Sequence, residues 1–361
     1  MVSKAVPNPS FWEGKRALVT GHTGFKGSWL SLCLASRGAL VFGFALPPEE
    51  RSLYRAAGVE RVVHSCEGDL RDYGKVRRAI EESKPDVIFH MAAQSLVRPS
   101  YSDPISTFGT NVMGTVHLLE AVREHGERCI VVNVTSDKCY ENREWLWGYR
   151  EHEPMGGYDP YSCSKGCAEL VTAAYRRSFF ASENQAKRRV ALASARAGNV
   201  IGGGDWAQDR LIPDCVRAIE AGEPITIRNP TAIRPWQHVL EPLWGYILLA
   251  EHLVAPSGSS YECAWNFGPS DDESWKVKTV VERVVELWGT GTGIRISEGP
   301  HPHEAVSLKL DCSQARLRLN WRPRLSMAEG LEWTVEWYRR CSEGQKPDMV
   351  TREQIERFFS L

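Results

Sequence analysis

One stretch limits what this chain can become: residues 16–30, RALVTGHTGFKGSWL. Ala17 to Thr20 reads as a short buried strand, and the apolar-periodic helix that follows runs on through Leu32 and Leu34. Between them stand Gly21, Gly24 and Gly27. The absence of a Cβ lets the chain turn tightly at Gly21, lets a diphosphate approach the backbone at Gly24, and lets the helix lie close on the sheet at Gly27. Unpaired N–H groups and a partial positive charge at the helix start then favour an anion. The spacing is G-x-x-G-x-x-G rather than G-x-G-x-x-G. Alone, therefore, the turn reads either as a dinucleotide site or as a glycine-rich corner without a ligand.

The chain beyond it favours the first reading. Strands are expected at Leu40–Phe44, Val62–His64, Asp86–His90, Cys129–Val134 and Val190–Ala195. Helices are expected over Asp72–Ser83, over about Ile105–His125, and at length between the fifth and sixth strands. Such alternation means right-handed βαβ units and a parallel sheet covered on both faces. The expected fold class is therefore α/β: a Rossmann-type doubly wound parallel sheet with a smaller mixed α/β substrate domain. From Gly198 onward the texture turns irregular, with glycine, proline and tryptophan clustered between Gly202 and Trp236. Short strands are expected there at Pro224–Arg228, Trp265–Gly268 and Ile294–Ser297, and helices at Leu240–Val254, Val277–Trp288 and Met327–Arg340. We expect one domain mainly over 14–197, a second mainly over 198–345 with some chain crossing between them, and a C-terminal helix over 346–361. Ligands bind at the carboxyl ends of strands in such sheets, so a cleft between the two parts is expected.

Composition removes other classes. A net charge of -1 gives no reason to expect nucleic acid or an anionic membrane as partner. No apolar run approaches membrane-spanning length, and the N-terminal MVSKAVPNPSFWEGK lacks the apolar core of a signal peptide. The ten cysteines are scattered with no CxxC pair, which suits reduced thiols in the cytoplasm. Cys163 and Cys167 read as small helix-packing residues. Pro300-His301-Pro302-His303-Glu304 resembles a metal cluster by composition but has no further ligands at metal spacing nearby, so no metal is expected.

Tyr161 and Lys165 stand four residues apart, which on a helix places them on one face. A neighbouring ammonium stabilises tyrosinate and lowers the phenol pKa towards a range where it acts as a base. A surface Tyr and Lys on an amphipathic helix is the alternative for the pair alone.

The glycine turn, Tyr161…Lys165 and His90-Met91-Ala92-Ala93 together resemble the extended short-chain dehydrogenase/reductase family, which modifies nucleotide sugars. The blocks GHTGFKGSWL, AAQSLVRPSY, VTSDKCYEN, GGYDPYSCSK, GNVIGGGDWAQDRLIPD and RPWQHVLEPLWGY resemble its branch of CDP-glucose 4,6-dehydratases, from about Gly14 to Tyr338. The resemblance implies a lyase that uses bound NAD to take hydride from C4 of CDP-glucose. Water then leaves across C5–C6 and the hydride returns to C6, giving a 4-keto-6-deoxy sugar for deoxysugar and polysaccharide or lipopolysaccharide biosynthesis. It also implies a homodimer, with the Ile105–His125 and Tyr161–Ala181 helices forming the intersubunit bundle.

Residue roles follow from the same resemblance. Tyr161 would be the base at the C4 hydroxyl, with Lys165 holding the nicotinamide ribose and lowering the tyrosine pKa. Ser136 would bond the C4 oxygen and Asp137 would protonate the departing C6 hydroxyl. Lys138 stands where related dTDP-glucose dehydratases carry a glutamate that removes the C5 proton. A lysine serves there only if its pKa is depressed, so the C5 base stays open. Gly21, Thr23, Gly24, Phe25, Lys26, Gly27, Asp69, Leu70, Ala92, Ala93, Gln94 and Thr110 would complete the cofactor site. Asn199, Arg210, Arg234 and Arg98 would hold the nucleotide sugar, since the planar guanidinium fork suits a diphosphate. The carboxylate that usually grips the adenosine ribose after the second strand is absent. That end reads Ala45-Leu46-Pro47-Pro48, with Glu49 or Arg51 as the residues able to reach the ribose. NAD rather than NADP therefore rests on the resemblance. The rivals are an epimerase or dehydratase acting on a GDP-, dTDP- or UDP-linked sugar, and a dinucleotide-sensing protein without turnover. Tyr161, Lys165 and Asp137 argue against the last, because a binder needs no acid–base set.

Overall fold

In a computed structural model, which describes residues 8–181, 189–254, 258–270, 273–297 and 308–361, the glycine corner sits at the middle of the sheet. Residues 1–7 of the N-terminal stretch, and His301, His303 and Glu304 of the histidine cluster, lie outside the described residues. Strand β1 (Arg16–Thr20) leads into helix α1 (Phe25–Ala35) and then β2 (Leu40–Ala45). After β3 (Val63–Glu67), Asp72 caps helix α2 (Tyr73–Ser83) by accepting Lys75 N–H at 3.1 Å. Strand β4 (Val87–His90) follows, and then a helical run over 104–125. Its final segment is α3 (Gly114–His125), and a π-helical turn, Gly109–Met113, interrupts the run. Strand β5 (Cys129–Val134), helix α4 (Pro160–Tyr175) and strand β6 (Val190–Ala197) complete the alternation.

The strands pair in the order β7-β6-β5-β4-β1-β2-β3, every neighbour parallel, with Ala264–Phe267 as β7. Thr20 at the end of β1 is level with Phe44 on β2 and His90 on β4. The order reverses there, so the crevice of a doubly wound sheet opens between β1 and β4. Residues alternate between two apolar layers. Leu18, Ile88, Val131 and Leu192 face the side covered by α2 and α3. Val19, Phe89 and Val132 face α1 and helix α6 (Leu240–Val254), after α5 (Leu211–Ala221) in the chain. On α1, Trp29 is wholly buried and donates its indole N–H to Gly203 O at 3.0 Å, tying the first helix to the irregular half.

One expected strand lies elsewhere than anticipated. The strand expected at Trp265–Gly268 in the smaller domain forms over Ala264–Phe267 and extends the main sheet beyond β6. The reason is physical: all eight residues of β6 are buried, and an uncovered edge there would leave its outer ladder groups without partners. Helix α6 likewise returns to pack on β5 and β6. The rest of the second half builds the other wall. Ile225–Ile227 pairs in parallel with Ile294–Ile296, and helices α7 (Val277–Trp288) and α8 (Met327–Ser342) pack together. Helix α9 (Pro347–Ser360) folds back on α8 and α1. Between these parts lies a cleft of about 1400 Å³ at the carboxyl ends of the strands. Among the described residues no helix is long and apolar enough to cross a membrane.

Candidate active site

The cleft begins at the glycine corner. Gly21 has φ 75°, and a Cβ there would stand 2.8 Å from Ala92 Cα, so only glycine fits. A Cβ at Gly27 would strike the Gly21 carbonyl. At Gly24 it would meet only Gly21 O, at 3.4 Å, which leaves the cleft side of that residue clear. Helix α1 starts at Phe25 with no side-chain cap, and Gly24, Phe25 and Lys26 line the cleft. A clear glycine beside uncapped helix N–H groups fits the diphosphate of a dinucleotide. Thr23 donates to Leu46 O at 3.0 Å and anchors the turn to the loop after β2.

The adenosine end differs in detail from expectation. Arg51 lines the cleft and is paired across it. It donates to both carboxylate oxygens of Glu220, at 2.9 and 2.7 Å, and its guanidinium lies 3.4 Å from the Trp206 ring centroid. Asp69 lines the cleft, but Arg71 occupies its carboxylate: the Arg71 Nε donates at 2.9 Å and the Arg71 backbone N–H at 2.8 Å. That pairing holds the Asp69 carboxyl below its usual range. Leu70 packs against Gly114, where a Cβ would come within 2.9 Å of Leu70 Cβ.

At the other end, Met91 and Ala92 N–H donate to Thr20 Oγ1 at 3.0 and 3.1 Å, which sets the turn carrying Ala93. Gln94 also lines the cleft, but its own loop consumes its side chain. Its Nε2 donates to Leu96 O at 2.9 Å and Thr107 Oγ1 at 3.1 Å, while Oε1 accepts Leu96 N–H. Its backbone N–H is likewise engaged, donating to Asn111 Oδ1 at 2.8 Å. Thr110 lies on the π-helical turn, which also places buried Asn111 inward. Asn111 donates to Gln94 O at 2.9 Å and to Ser164 Oγ at 2.8 Å, joining this turn to α4.

Tyr161 and Lys165 share the buried face of α4. Ser100 Oγ accepts Tyr161 N–H at 3.1 Å, fixing the helix start, and Asp159 caps it by accepting Ser162 N–H. The expected lowering of the tyrosine pKa by Lys165 is not what the protein alone provides. Burial pushes the Tyr161 phenol up to about 12, a hydrogen bond with Ser136 opposes this, and the Asp137 charge adds to the rise. The Lys165 ammonium instead reaches toward Val134 O at 3.5 Å. Burial brings Lys165 down to about 8, opposed by the Glu169 carboxylate. Ser136 donates to Asp137 Oδ1 at 3.0 Å and accepts Lys138 N–H at 3.2 Å, closing the short turn Asp137–Cys139. Asp137 is only 4% exposed, and burial raises its carboxyl above the usual range against the nearby Lys138 charge. Such a carboxyl is suited to donating a proton. The Lys138 ammonium lies 6.0 Å from the Tyr161 ring centroid, on the same wall. Lys26 is half-buried with Nζ 3.0 Å from Tyr246 Oη, and desolvation, with Lys165 and Arg210 adding, brings it to about 7.

The opposite wall is basic. Arg210 pairs with Asp205 at 2.9 Å and donates to Ser95 Oγ at 3.2 Å. Arg98 and Arg228 both hold Asp209, at 3.1 and 2.8 Å, and Asp209 sits at φ 62°. Arg234 and Asn199 line the same wall. Every site residue singled out from the sequence thus lines one cleft. Sequence reasoning passed over Arg71, Asn111, Arg228, Glu169 and Tyr246. Asp69-Leu70-Arg71 and the i,i+4 step from Lys165 to Glu169 were readable signals; the Tyr246 contact, 220 residues from Lys26, was not. Among the described residues no group of His, Cys, Asp and Glu is placed to hold a metal.

The profile of the family described as GDP-mannose 4,6 dehydratase matches residues 18–334. A protein of Salmonella typhimurium LT2, "CDP-glucose 4,6-dehydratase", is 54% identical over 97% of this chain and 98% of its own. A "dTDP-glucose 4,6-dehydratase" of Xanthomonas campestris pv. campestris is 25% identical over 89% of this chain and 92% of its own. Among solved structures, MoeE5 in complex with UDP-glucose and NAD superposes with a TM-score of 0.75 at 26% identity, over 90% of this chain and 99% of that one. DesIV of Streptomyces venezuelae, a dTDP-glucose 4,6-dehydratase with NAD bound, shares the fold with a TM-score of 0.76 at 24% identity, over 92% and 99%.

Proposed function

Since the chain belongs to the GDP-mannose 4,6 dehydratase family of extended short-chain dehydrogenases/reductases, we propose that it is a CDP-glucose 4,6-dehydratase. It converts CDP-glucose to CDP-4-keto-6-deoxyglucose and water. The nucleotide follows from the 54% identity, over nearly both full lengths, to the Salmonella typhimurium enzyme of that name. The reaction type is carried by one observation: a buried carboxyl, that of Asp137, which accepts the Ser136 hydroxyl and lines, with Tyr161, the cleft that the glycine corner opens. An epimerase has no need of an acid there.

NAD, which the Gly21–Gly27 corner would hold, would supply the hydride acceptor for C4 and the hydride donor for C6. The chain's residues do the rest. Tyr161 takes the proton of the C4 hydroxyl. Its phenol at about 12 is a poor base at rest, so the cationic surroundings of the filled site are what make the phenolate accessible. Ser136, bonded to Tyr161 and Asp137, orients the C4 oxygen. Lys138 stands across the Tyr161 face, on the wall where the C5 proton leaves and later returns, and the Lys138→Ala variant decides whether it carries that proton; Asp137 protonates the leaving C6 hydroxyl. Lys165 orients the nicotinamide ribose. Arg98, Arg210, Arg228 and Arg234 receive the diphosphate, which replaces the carboxylates of Asp205 and Asp209 at Arg210, Arg98 and Arg228. The NAD assignment is supported by MoeE5, 26% identical over 90% of this chain and solved in complex with UDP-glucose and NAD.

A homodimer through the 104–125 run and α4 is supported by Ile105, Met113 and Leu170, large apolar residues left exposed on those elements, and by Phe179 on the π-helical turn that follows α4. The ten cysteines are all free, as suits the cytoplasm.

The test is a panel of CDP-, dTDP-, GDP- and UDP-glucose with purified protein and NAD in deuterated water, followed by NMR for replacement of the C5 hydrogen by deuterium and gain of a 6-deoxy-4-keto sugar. CDP-glucose should react at least tenfold faster than the others. Conversion of another nucleotide sugar in its place would overturn the assignment.

A further inference from the structure

The turn that carries Ser136, Asp137 and Lys138 is gripped at both ends by one buried ion pair. Glu169 lies one helical turn beyond Lys165 on α4 and is 5% exposed. Its carboxylate accepts Thr135 Oγ1 at 2.5 Å, Ser194 Oγ at 2.7 Å and Arg196 Nη2 at 2.8 Å. Arg196, on β6, uses its other terminal nitrogen to donate to Tyr140 Oη at 2.6 Å and Glu151 O at 2.8 Å. Tyr140 Oη in turn donates to Asn266 Oδ1, on β7, at 2.8 Å. Thr135 is the residue before Ser136, and Tyr140 is the residue that ends the turn Asp137–Cys139. The pair therefore ties the entry of the turn to α4 and its exit to β6 and β7.

We propose that Glu169 and Arg196 are positioning residues for the reaction, holding the Thr135–Tyr140 turn in register with Tyr161 and Lys165. The inference rests on the roles given above to Ser136, Asp137 and Tyr161. Stability alone does not account for the arrangement. Two ions taken from water lose about as much as they regain, and apolar residues of equal volume stabilise a core as well. What apolar residues cannot supply is direction. A carboxylate with three donors and a guanidinium spanning to a phenol fix angles as well as distances. Because Glu169 follows Tyr161 and Lys165 on the same helix, any shift of α4 moves base, ribose-holding lysine and turn together. The relative placement that acid–base transfer demands is thereby preserved.

The gentlest probe is Thr135→Val, which removes the donor to Glu169 while leaving the ion pair whole; Thr135→Ser restores the hydroxyl. Tyr140→Phe cuts the exit tie. Two readouts separate the possibilities. The first is hydrogen exchange in the protein without substrate, at the amides of Lys138, Cys139 and Tyr140, which bond within the turn. Thr135→Val and Tyr140→Phe should exchange about tenfold faster there, and Thr135→Ser at the wild-type rate. The second is turnover: Thr135→Val should lose about tenfold in kcat with KM within about twofold, and Thr135→Ser should recover most of it. Unchanged exchange in both Thr135→Val and Tyr140→Phe overturns the clamp, and faster exchange with unchanged kcat overturns its role in the reaction. If Thr135→Ser fails to restore exchange and kcat, the hydroxyl is not the tie and the clamp is wrong. If the wild-type protein turned over no nucleotide sugar, the proposed function would fail by itself, while the exchange arm would still decide whether the turn is held this way.

Discussion

Replacing Asp137 by Asn separates the two halves of the proposed reaction. The carboxyl is 4% exposed, and burial raises it above the usual range against the Lys138 charge, the direction that favours its proposed role as an acid. Asn has the same shape and keeps an oxygen to accept the Ser136 hydroxyl, which now bonds Asp137 Oδ1 at 3.0 Å. It has no acidic proton to give. Removing a general acid costs about 10²–10⁴-fold in the step it serves, or roughly 3–5 kcal/mol of transition-state stabilisation. The oxidation at C4 should fare differently. The protonated carboxyl and the amide are both neutral, so the exchange adds no charge beside Tyr161 and leaves phenolate formation about as easy as before. Mixed rapidly with CDP-glucose, the Asp137→Asn protein should form close to one equivalent of reduced nicotinamide per site at a rate within about threefold of wild type, and hold it. Product release should slow by about 10²–10³-fold. Absorbance of the reduced nicotinamide and quenched-flow analysis of the sugar read the two steps separately. Equal loss in both, or product at the wild-type rate, would refute the assignment of Asp137 as the C6 acid.

Tyr161→Phe should abolish reduced-nicotinamide formation by at least about 10³-fold with cofactor affinity kept, measured by the same burst and by fluorescence titration. Lys138→Ala should still reduce the cofactor yet lose exchange of the C5 hydrogen with deuterated water; full exchange in that variant would remove Lys138 from the mechanism. Glu241, at the start of α6, accepts Arg324 N–H at 2.9 Å and Leu325 N–H at 2.7 Å, and burial pushes its carboxyl from 4.5 up to about 8. The folded state therefore keeps a proton that the unfolded chain has lost. Glu241 stabilises fully below its unfolded pKa, and that contribution declines as pH rises, by at most about 1.4 kcal/mol per unit, until it levels off above the folded value. Glu241→Gln should flatten the fall in Tm across that window, and an unchanged slope would assign it to other groups.

How much of this was legible beforehand depended on whether the cause was local. Thr20-Gly21, the cap at Asp72 and the i,i+4 step from Tyr161 to Lys165 are each decided within one helical turn, and each stands where periodicity put it. Ala264–Phe267 was legible as a strand but not as part of the main sheet, because its place depends on the open edge of β6, some 70 residues earlier. The fates of Arg51 and Gln94 turn on partners as well as on residue type. Glu220 captures the first from the far wall, and the second folds onto its own loop. The π-helical turn that aims Asn111 inward leaves no mark in a helical periodicity. The Tyr161 phenol carries the broadest lesson: spacing announced a lysine neighbour, whereas burial, which spacing does not report, dominates its pKa.

The central claim is that one cofactor carries one hydride from C4 to C6 within a single turnover while Asp137 and its neighbours expel water between. A mixture of CDP-glucose deuterated at C4 and CDP-glucose labelled with ¹³C, converted together in excess NAD, tests this directly by mass spectrometry and NMR of the product. The account predicts deuterium at C6 of molecules that began with it at C4, and none in the ¹³C-labelled product. Deuterium spread across both populations, retained at C4, or lost to solvent would contradict it.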